Sequence, residues 1–225
     1  MRTKQATVID VIEETHDAKT LRLKIDPPIE FLPGQWISLL VTLDGQLYRR
    51  PYSIGSAPHQ KDYVDITFKL YADGKVTPFL FTVEKDHVFD IIGPFGRFVL
   101  NEQDTAPVFI AAGSGIVPLM SMLRHAKDKM RCTLLYSNKK PQDIIYGDEL
   151  DQLAQEGKLT FHPVITQDPQ WDGISGRLDQ DKLANFVKPE STFYICGPAG
   201  FVADVEAALI YLGVVKDKIK VEEYD

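Results

Sequence analysis

Phe109-Ile110-Ala111-Ala112-Gly113-Ser114-Gly115-Ile116-Val117-Pro118 decides the fold, because an apolar run, a Gly-x-Gly turn and an apolar helix start follow one another without a gap. A turn bare of side chains between strand and helix lets a phosphate approach backbone N–H groups, although a plain tight turn reads the same way. The third glycine of the usual dinucleotide fingerprint is absent. Pro118 stands instead where a helix's first turn tolerates a missing N–H. Downstream, strand patterns at 133–136, 159–165, 193–195 and 218–223 alternate with helical patterns at 117–128, 148–155, 179–187 and 201–212. Together with 108–112 they predict a five-stranded parallel sheet with helices on both faces, binding ligands at the carboxyl ends of its strands. A second strand-turn-helix boundary, Tyr194-Ile195-Cys196-Gly197-Pro198-Ala199-Gly200, points to the same edge.

Upstream of residue 101 the hydrophobic period changes from that of helices to 2. Six β-rich runs, 6–13, 20–25, 35–42, 50–55, 64–71 and 88–92, are separated by turn residues such as Asp26-Pro27-Pro28, Pro33-Gly34, Asp44-Gly45 and Ala72-Asp73-Gly74. One helix is predicted at 77–83. The pattern is that of a six-stranded antiparallel β-barrel, giving a two-domain protein of β and α/β type. The acidic connector 101–105 divides domains at 1–103 and 104–225, and a site between them is expected. Gly93-Pro94-Phe95-Gly96-Arg97-Phe98, just before the connector, reads as structural.

The chain has 225 residues, 44% hydrophobic and 25% charged, which excludes disordered and fibrous classes. A formal net charge of −7 disfavours nucleic acid as a partner. No run is long enough for a membrane span, and the N-terminus lacks the apolar core of a secretion signal, so a cytoplasmic protein is expected. Two cysteines, Cys132 and Cys196, cannot build a disulfide framework or hold an iron–sulfur cluster, and five histidines without HExxH spacing give no zinc site. No metal is expected, so the chemistry should use an organic cofactor.

In the barrel half, Tyr48-Arg49-Arg50-Pro51-Tyr52-Ser53-Ile54-Gly55-Ser56 places Arg50 and Tyr52 on one face of a strand. That face suits a flat, charged ligand, and equally a barrel strand with an outward arginine and an inward aromatic. Cys196 by itself reads as a small buried residue, and the terminal Glu222-Glu223-Tyr224 as an edge strand ending in solvated acids.

Taken in order, Arg50-Pro51-Tyr52-Ser53, Gly113-Ser114-Gly115-Ile116-Val117-Pro118, Cys196-Gly197-Pro198 and Glu222-Glu223-Tyr224 resemble the ferredoxin–NADP reductase superfamily, in a single-chain form without an iron–sulfur domain. The resemblance spans nearly the whole chain and implies an FAD-binding barrel followed by an NAD(P)-binding domain, with FAD rather than FMN as cofactor. It implies that Arg50 contacts the flavin pyrophosphate, Tyr52 lies against the isoalloxazine with Pro51 beside it, and Ser53 reaches flavin N5. Gly74-Lys75-Val76-Thr77 looks like the family's second flavin segment, and Phe68 and Lys69 are candidates to line the flavin, though an alternating strand would look the same without a ligand.

The same resemblance places Cys196 beside the nicotinamide, gives Glu222 a proton path and lets Tyr224 cover the flavin face. Ser53, Cys196, Glu222 and Tyr224 are thus the catalytic candidates. Gly113, Ser114, Gly115, Ile116, Pro118, Gly197 and Pro198, with Ser137 and Asn138 at the end of the second α/β strand, are the nucleotide candidates. Lys139 and Lys140 suit a 2′-phosphate or are a solvated pair, and Thr166-Gln167 lacks the serine-arginine pair common in NADPH-specific relatives, so NADH and NADPH stay open. The implied function is an NAD(P)H-dependent flavoprotein reductase passing hydride to flavin and electrons to an external acceptor such as ferredoxin or flavodoxin. Two alternatives stand beside it: a reductase using flavin as a diffusing substrate, and a flavin-holding electron-transfer subunit of a larger complex.

Overall fold

The computed structural model describes residues 3–71 and 73–224; Ala72 of the predicted turn, and Met1, Arg2 and Asp225, lie outside the described residues. Six antiparallel strands, β1 (Lys4–Thr15), β2 (Ala18–Ile25), β3 (Trp36–Leu43), β4 (Gln46–Ser53), β5 (Val64–Lys69) and β6 (Val88–Phe95), form a sheet in the order β4-β3-β6-β1-β2-β5. Its two edges meet. Ile54 bridges Ile66, and the Gly55 N–H donates to the Asp65 carbonyl at 2.8 Å, so the sheet curls into a nearly closed barrel. Alternate residues of each strand, among them Leu21, Leu23, Ile37, Leu39, Ile66 and Ile91, fill the interior. Helix α1 (Val76–Phe81) contributes Val76 and Leu80 to that core.

The β3–β4 hairpin extends further than alternation alone predicted. Asp44 and Gly45, at φ 49° and 75°, form a two-residue turn that sets Leu43 opposite Gln46. That register recruits Gln46 to Arg49 into β4, ahead of the expected start at residue 50. β6 likewise runs past the expected end at residue 92 to Phe95, which pairs with Trp36, so the start of the structural segment 93–98 is strand.

The second sheet is parallel throughout: β7 (Pro107–Ala112), β8 (Cys132–Asn138), β9 (Leu159–Ile165), β10 (Ile174–Ser175), β11 (Thr192–Pro198) and β12 (Ile219–Tyr224), in the order β10-β9-β8-β7-β11-β12. The five-stranded sheet predicted from the sequence is corrected to six. The extra strand is two residues long between Gly173 and Gly176, too short to give a periodic signal, and is recognisable only by its pairing with Val164 and Ile165. Helices α2 (Ile116–Ala126) and α3 (Gly147–Gln155) pack one face with Phe109, Leu134 and Tyr194. On the other face α4 (Gln180–Ala184) and α5 (Ala199–Tyr211) cover Ile110, Leu135 and Ile195.

Strand order reverses between β7 and β11, so their following turns flank a crevice at the carboxyl edge. The first of these cores also takes in Ala18, Phe98 and Leu100, which docks the barrel against it. Among the described residues no helix is long and apolar enough to cross a membrane.

Candidate functional site

β4 is an edge strand, and its outer face carries cations on an aromatic. The Arg50 guanidinium and the Lys75 ammonium lie 5.4 and 6.0 Å from the Tyr48 ring centre, so two segments the resemblance assigned to the flavin converge on one side chain. Pro51 and Arg50 are exposed, whereas Tyr52 is half-buried against the barrel core. Burial pushes the Tyr52 phenol up to about 12, with Arg50 partly opposing the shift, so the ring stays neutral. Beneath it Phe68 is buried, its ring centre 5.9 Å from that of Tyr52. Phe68 therefore supports Tyr52 from inside the barrel. Lys69 is ion-paired to Asp17 at 3.0 Å. Gly74 precedes the first turn of α1, where Val76 is buried and the Thr77 hydroxyl accepts from the Tyr71 N–H at 3.1 Å.

Across the crevice, the chain after β7 turns through Gly113-Ser114-Gly115 into α2, and the Tyr136 hydroxyl donates to the Gly113 carbonyl at 2.8 Å. A Cβ on Gly115 would sit 2.2 Å from the Cys196 carbonyl oxygen, so only glycine allows this turn to rest on β11. Ile116 and Pro118 are buried in the helix that the turn starts, and Ser137 and Asn138 are buried at the end of β8. Gly197 and Pro198 end β11, opposite Glu223 and Tyr224 of β12. Lys139 and Lys140 are exposed, and the Lys140 N–H donates to the Asp143 carboxylate at 3.0 Å.

The two halves meet at the last strand. The Ser53 and Tyr224 hydroxyls share a hydrogen bond of 2.8 Å, and Cys196 lies in register with Glu222 on the adjacent strand. Burial lifts the Cys196 thiol and the Tyr224 phenol well above their usual ranges, so both keep their protons at neutral pH. Burial also raises the Glu222 carboxyl to about 7, and its Oε2 is buried without a hydrogen-bond partner among the described residues. The four catalytic candidates are thus neighbours where the last strand meets the barrel, a titratable acid poised near neutrality beside two groups that are not.

Sequence reasoning missed a set of residues that fasten the halves together. On α2, Ser121 donates to the Ser56 carbonyl at 2.7 Å and Arg124 to the Gly55 carbonyl at 2.8 Å. The Tyr146 hydroxyl, just before α3, bonds Thr67 of the barrel at 2.5 Å. A signal was present: Ser121 and Arg124 are polar residues three apart on a helix that is otherwise apolar toward the core.

The residues gathered along this crevice have the chemistry to hold a flavin and a nicotinamide nucleotide. Gly113 and Gly200 face open space where a bound group can reach backbone, and Asn138 Nδ2 and Glu222 Oε2, which have no hydrogen-bond partner among the described residues, are buried polar atoms of the kind a bound amide or hydroxyl satisfies. The Arg50 and Lys75 pair suits a pyrophosphate.

An oxidoreductase FAD-binding domain model matches residues 5–100 and an oxidoreductase NAD-binding domain model residues 109–207. Ferredoxin–NADP reductase B of Sorangium cellulosum is 31% identical over 209 residues, covering 87% of this chain and 86% of that protein. The ferredoxin reductase component of the 3-ketosteroid-9-alpha-monooxygenase of Mycobacterium tuberculosis is 30% identical over 96% of this chain, which spans 64% of that relative's length. Among solved structures, the FAD/NAD-binding domain of the Vibrio cholerae nitric oxide dioxygenase superposes with a TM-score of 0.90, at 26% identity and 98% coverage of both chains. With one matching model for each half and a relative this similar along most of both chains, the protein belongs to the ferredoxin–NADP reductase family of FAD- and NAD(P)-dependent oxidoreductases.

Proposed function

We propose that the chain takes hydride from NADH or NADPH into FAD at the cleft between its halves and delivers the electrons to an external acceptor protein. The observation that carries this reading is the Ser53–Tyr224 contact of 2.8 Å, with Cys196 and Glu222 paired beside it, because it gathers barrel and nucleotide residues at one point. When bound, FAD supplies the group that takes two electrons together and can release them singly.

The chain's own work is holding and aligning. Arg50, permanently charged and carrying a fork of donors, holds the pyrophosphate with Lys75. Tyr52, backed by Phe68, gives the flavin a neutral aromatic floor. The Ser53 hydroxyl offers a hydrogen bond at the reacting edge. Gly113 to Gly115 present backbone to the nucleotide, and Tyr224 covers the flavin face opposite Tyr52 until the nicotinamide displaces it. Cys196, kept as a thiol, packs against the incoming ring rather than attacking it. Glu222, with its carboxyl near 7, takes up or gives a proton there.

Names of relatives as reductase components of oxygenases support a protein acceptor, and ferredoxin is the finer reading. Rapid mixing with NADH or NADPH tests it. Ser53→Ala and Cys196→Ser should each slow flavin reduction while leaving the flavin bound, and full rates in both would refute the assignment.

A further inference from the structure

Between the barrel and the nucleotide half lies a closed ring of hydrogen bonds that begins and ends on one residue. The Tyr146 hydroxyl bonds Thr67 Oγ1, which bonds Thr20 Oγ1, each at 2.5 Å. Thr20 donates to Glu14 Oε1 at 2.5 Å, and Glu14 Oε2 accepts from the Tyr146 backbone N–H at 3.3 Å. With Glu14 ionised the order of donation is forced. A carboxylate only accepts, so Thr20 must accept from Thr67, and Thr67 from the tyrosine. Three of the four residues belong to the barrel and the fourth to the nucleotide half.

Tyr146 is an unusual choice for a place that needs only packing. Its φ of 61° lies in the left-handed region that residues with a Cβ seldom occupy, and it is 5% exposed. A phenylalanine would fill the same space without a buried hydroxyl to satisfy. The Arg124 guanidinium stands 4.9 Å from the tyrosine ring, is held by Glu149 at 2.9 Å and grips the Gly55 carbonyl. Gly55 follows Ser53 by two residues, and a Cβ on it would come within 2.8 Å of the Tyr146 hydroxyl. Arg124 in turn sits on α2, the helix begun by the Gly113 to Gly115 turn. Strain in a residue fastened at both ends persists only where the surroundings over-determine it.

We propose that Tyr146, through this ring and beside Arg124, is a positioning residue that sets how the nucleotide half seats on the barrel, and so the alignment of Cys196 and Glu222 with Ser53. The proposal rests on the reductase reading for its effect on rate, but its structural part stands without it. Reaction rates fall steeply with small misplacements of reacting groups, whereas the Arg50 and Lys75 pair and the Gly113 to Gly115 turn each lie wholly within one half, so binding is far less sensitive to how the halves are set.

Tyr146→Phe and Thr67→Val each remove one atom's bonding and keep the shape. In full-length protein loaded with FAD, each should lower the rate constant of flavin reduction about tenfold, with flavin content and nicotinamide Kd within about twofold of the parent. The double variant should be no slower than either single one, because both cut the same ring. Independently of any flavin, spin labels on cysteines introduced at Glu30 and Lys188 should give a broader distance distribution in both variants than in the parent. Unchanged rates with an unchanged distribution overturn the proposal, as does a rate loss that merely tracks lost flavin. A parent protein that neither holds FAD nor reacts with NADH or NADPH would refute the reductase reading, and the spin-label distances would still decide the latch.

Discussion

Ser53 Oγ and the Tyr224 hydroxyl lie 2.8 Å apart across 171 residues of sequence, joining the barrel's edge strand to the last strand of the nucleotide sheet. On the function proposed above, the tyrosine ring covers the flavin face that the nicotinamide would take. Tyr224→Ser removes the ring that must be displaced, a contact worth about 1 kcal/mol, so the nicotinamide nucleotide should bind roughly fivefold more tightly. Titration followed by difference absorbance measures this, and an unchanged or weaker affinity would count against Tyr224 as the cover.

Glu222 gives the site its pH dependence. Burial raises its carboxyl from 4.5 to about 7, so the folded protein holds that proton more tightly than the unfolded chain. The contribution to stability is therefore complete below about 4.5 and declines as pH rises toward 7, where the folded state must ionise too. Glu222→Gln should gain stability relative to the parent between pH 5 and 8, read from denaturant midpoints. Turnover should lose an inflection near 7 in the same variant, and an inflection that survives the substitution would assign it to another group.

Both cysteines are buried with their thiols raised by desolvation. Neither should react with iodoacetamide at pH 8 in the native protein, while both should react once it is unfolded. Rapid labelling of Cys196 in the native state would reveal a thiolate and change its role from packing to nucleophile.

Two glycines should respond in opposite directions. Gly115→Ala drives a Cβ to within 2.2 Å of the Cys196 carbonyl and should destabilise the fold by about 2 kcal/mol or more. Gly200 is helical with nothing within 4 Å of a Cβ, and Gly200→Ala should be neutral or stabilise by up to ~1 kcal/mol. Equilibrium unfolding in urea distinguishes the two.

Elements with strong periodicity or turn chemistry were legible in the sequence. The barrel strands, the parallel strands and the glycine turn at Gly113 all follow from local pattern, as the structure's two sheets bear out. β10 was not legible, because a two-residue strand has no period and exists only through its neighbour. Nor was the early start of β4, which the Asp44-Gly45 turn dictates through register rather than through hydrophobic alternation. Tyr146 and its ring were invisible for a different reason: their partners, Glu14, Thr20 and Thr67, are scattered along the barrel, and each alone reads as an ordinary strand residue. Phe68 shows the converse. Its pattern suited either a ligand wall or a core, and burial beneath Tyr52 places it in the core.

The absorption spectrum of the purified protein, before and after anaerobic addition of NADH and then NADPH, tests the central claim most directly. The expected result is a yellow protein with stoichiometric FAD whose flavin band bleaches on adding one of the two nucleotides. A protein that stays colourless when mixed with FAD, or whose bound flavin is left oxidised by both nucleotides, would contradict it.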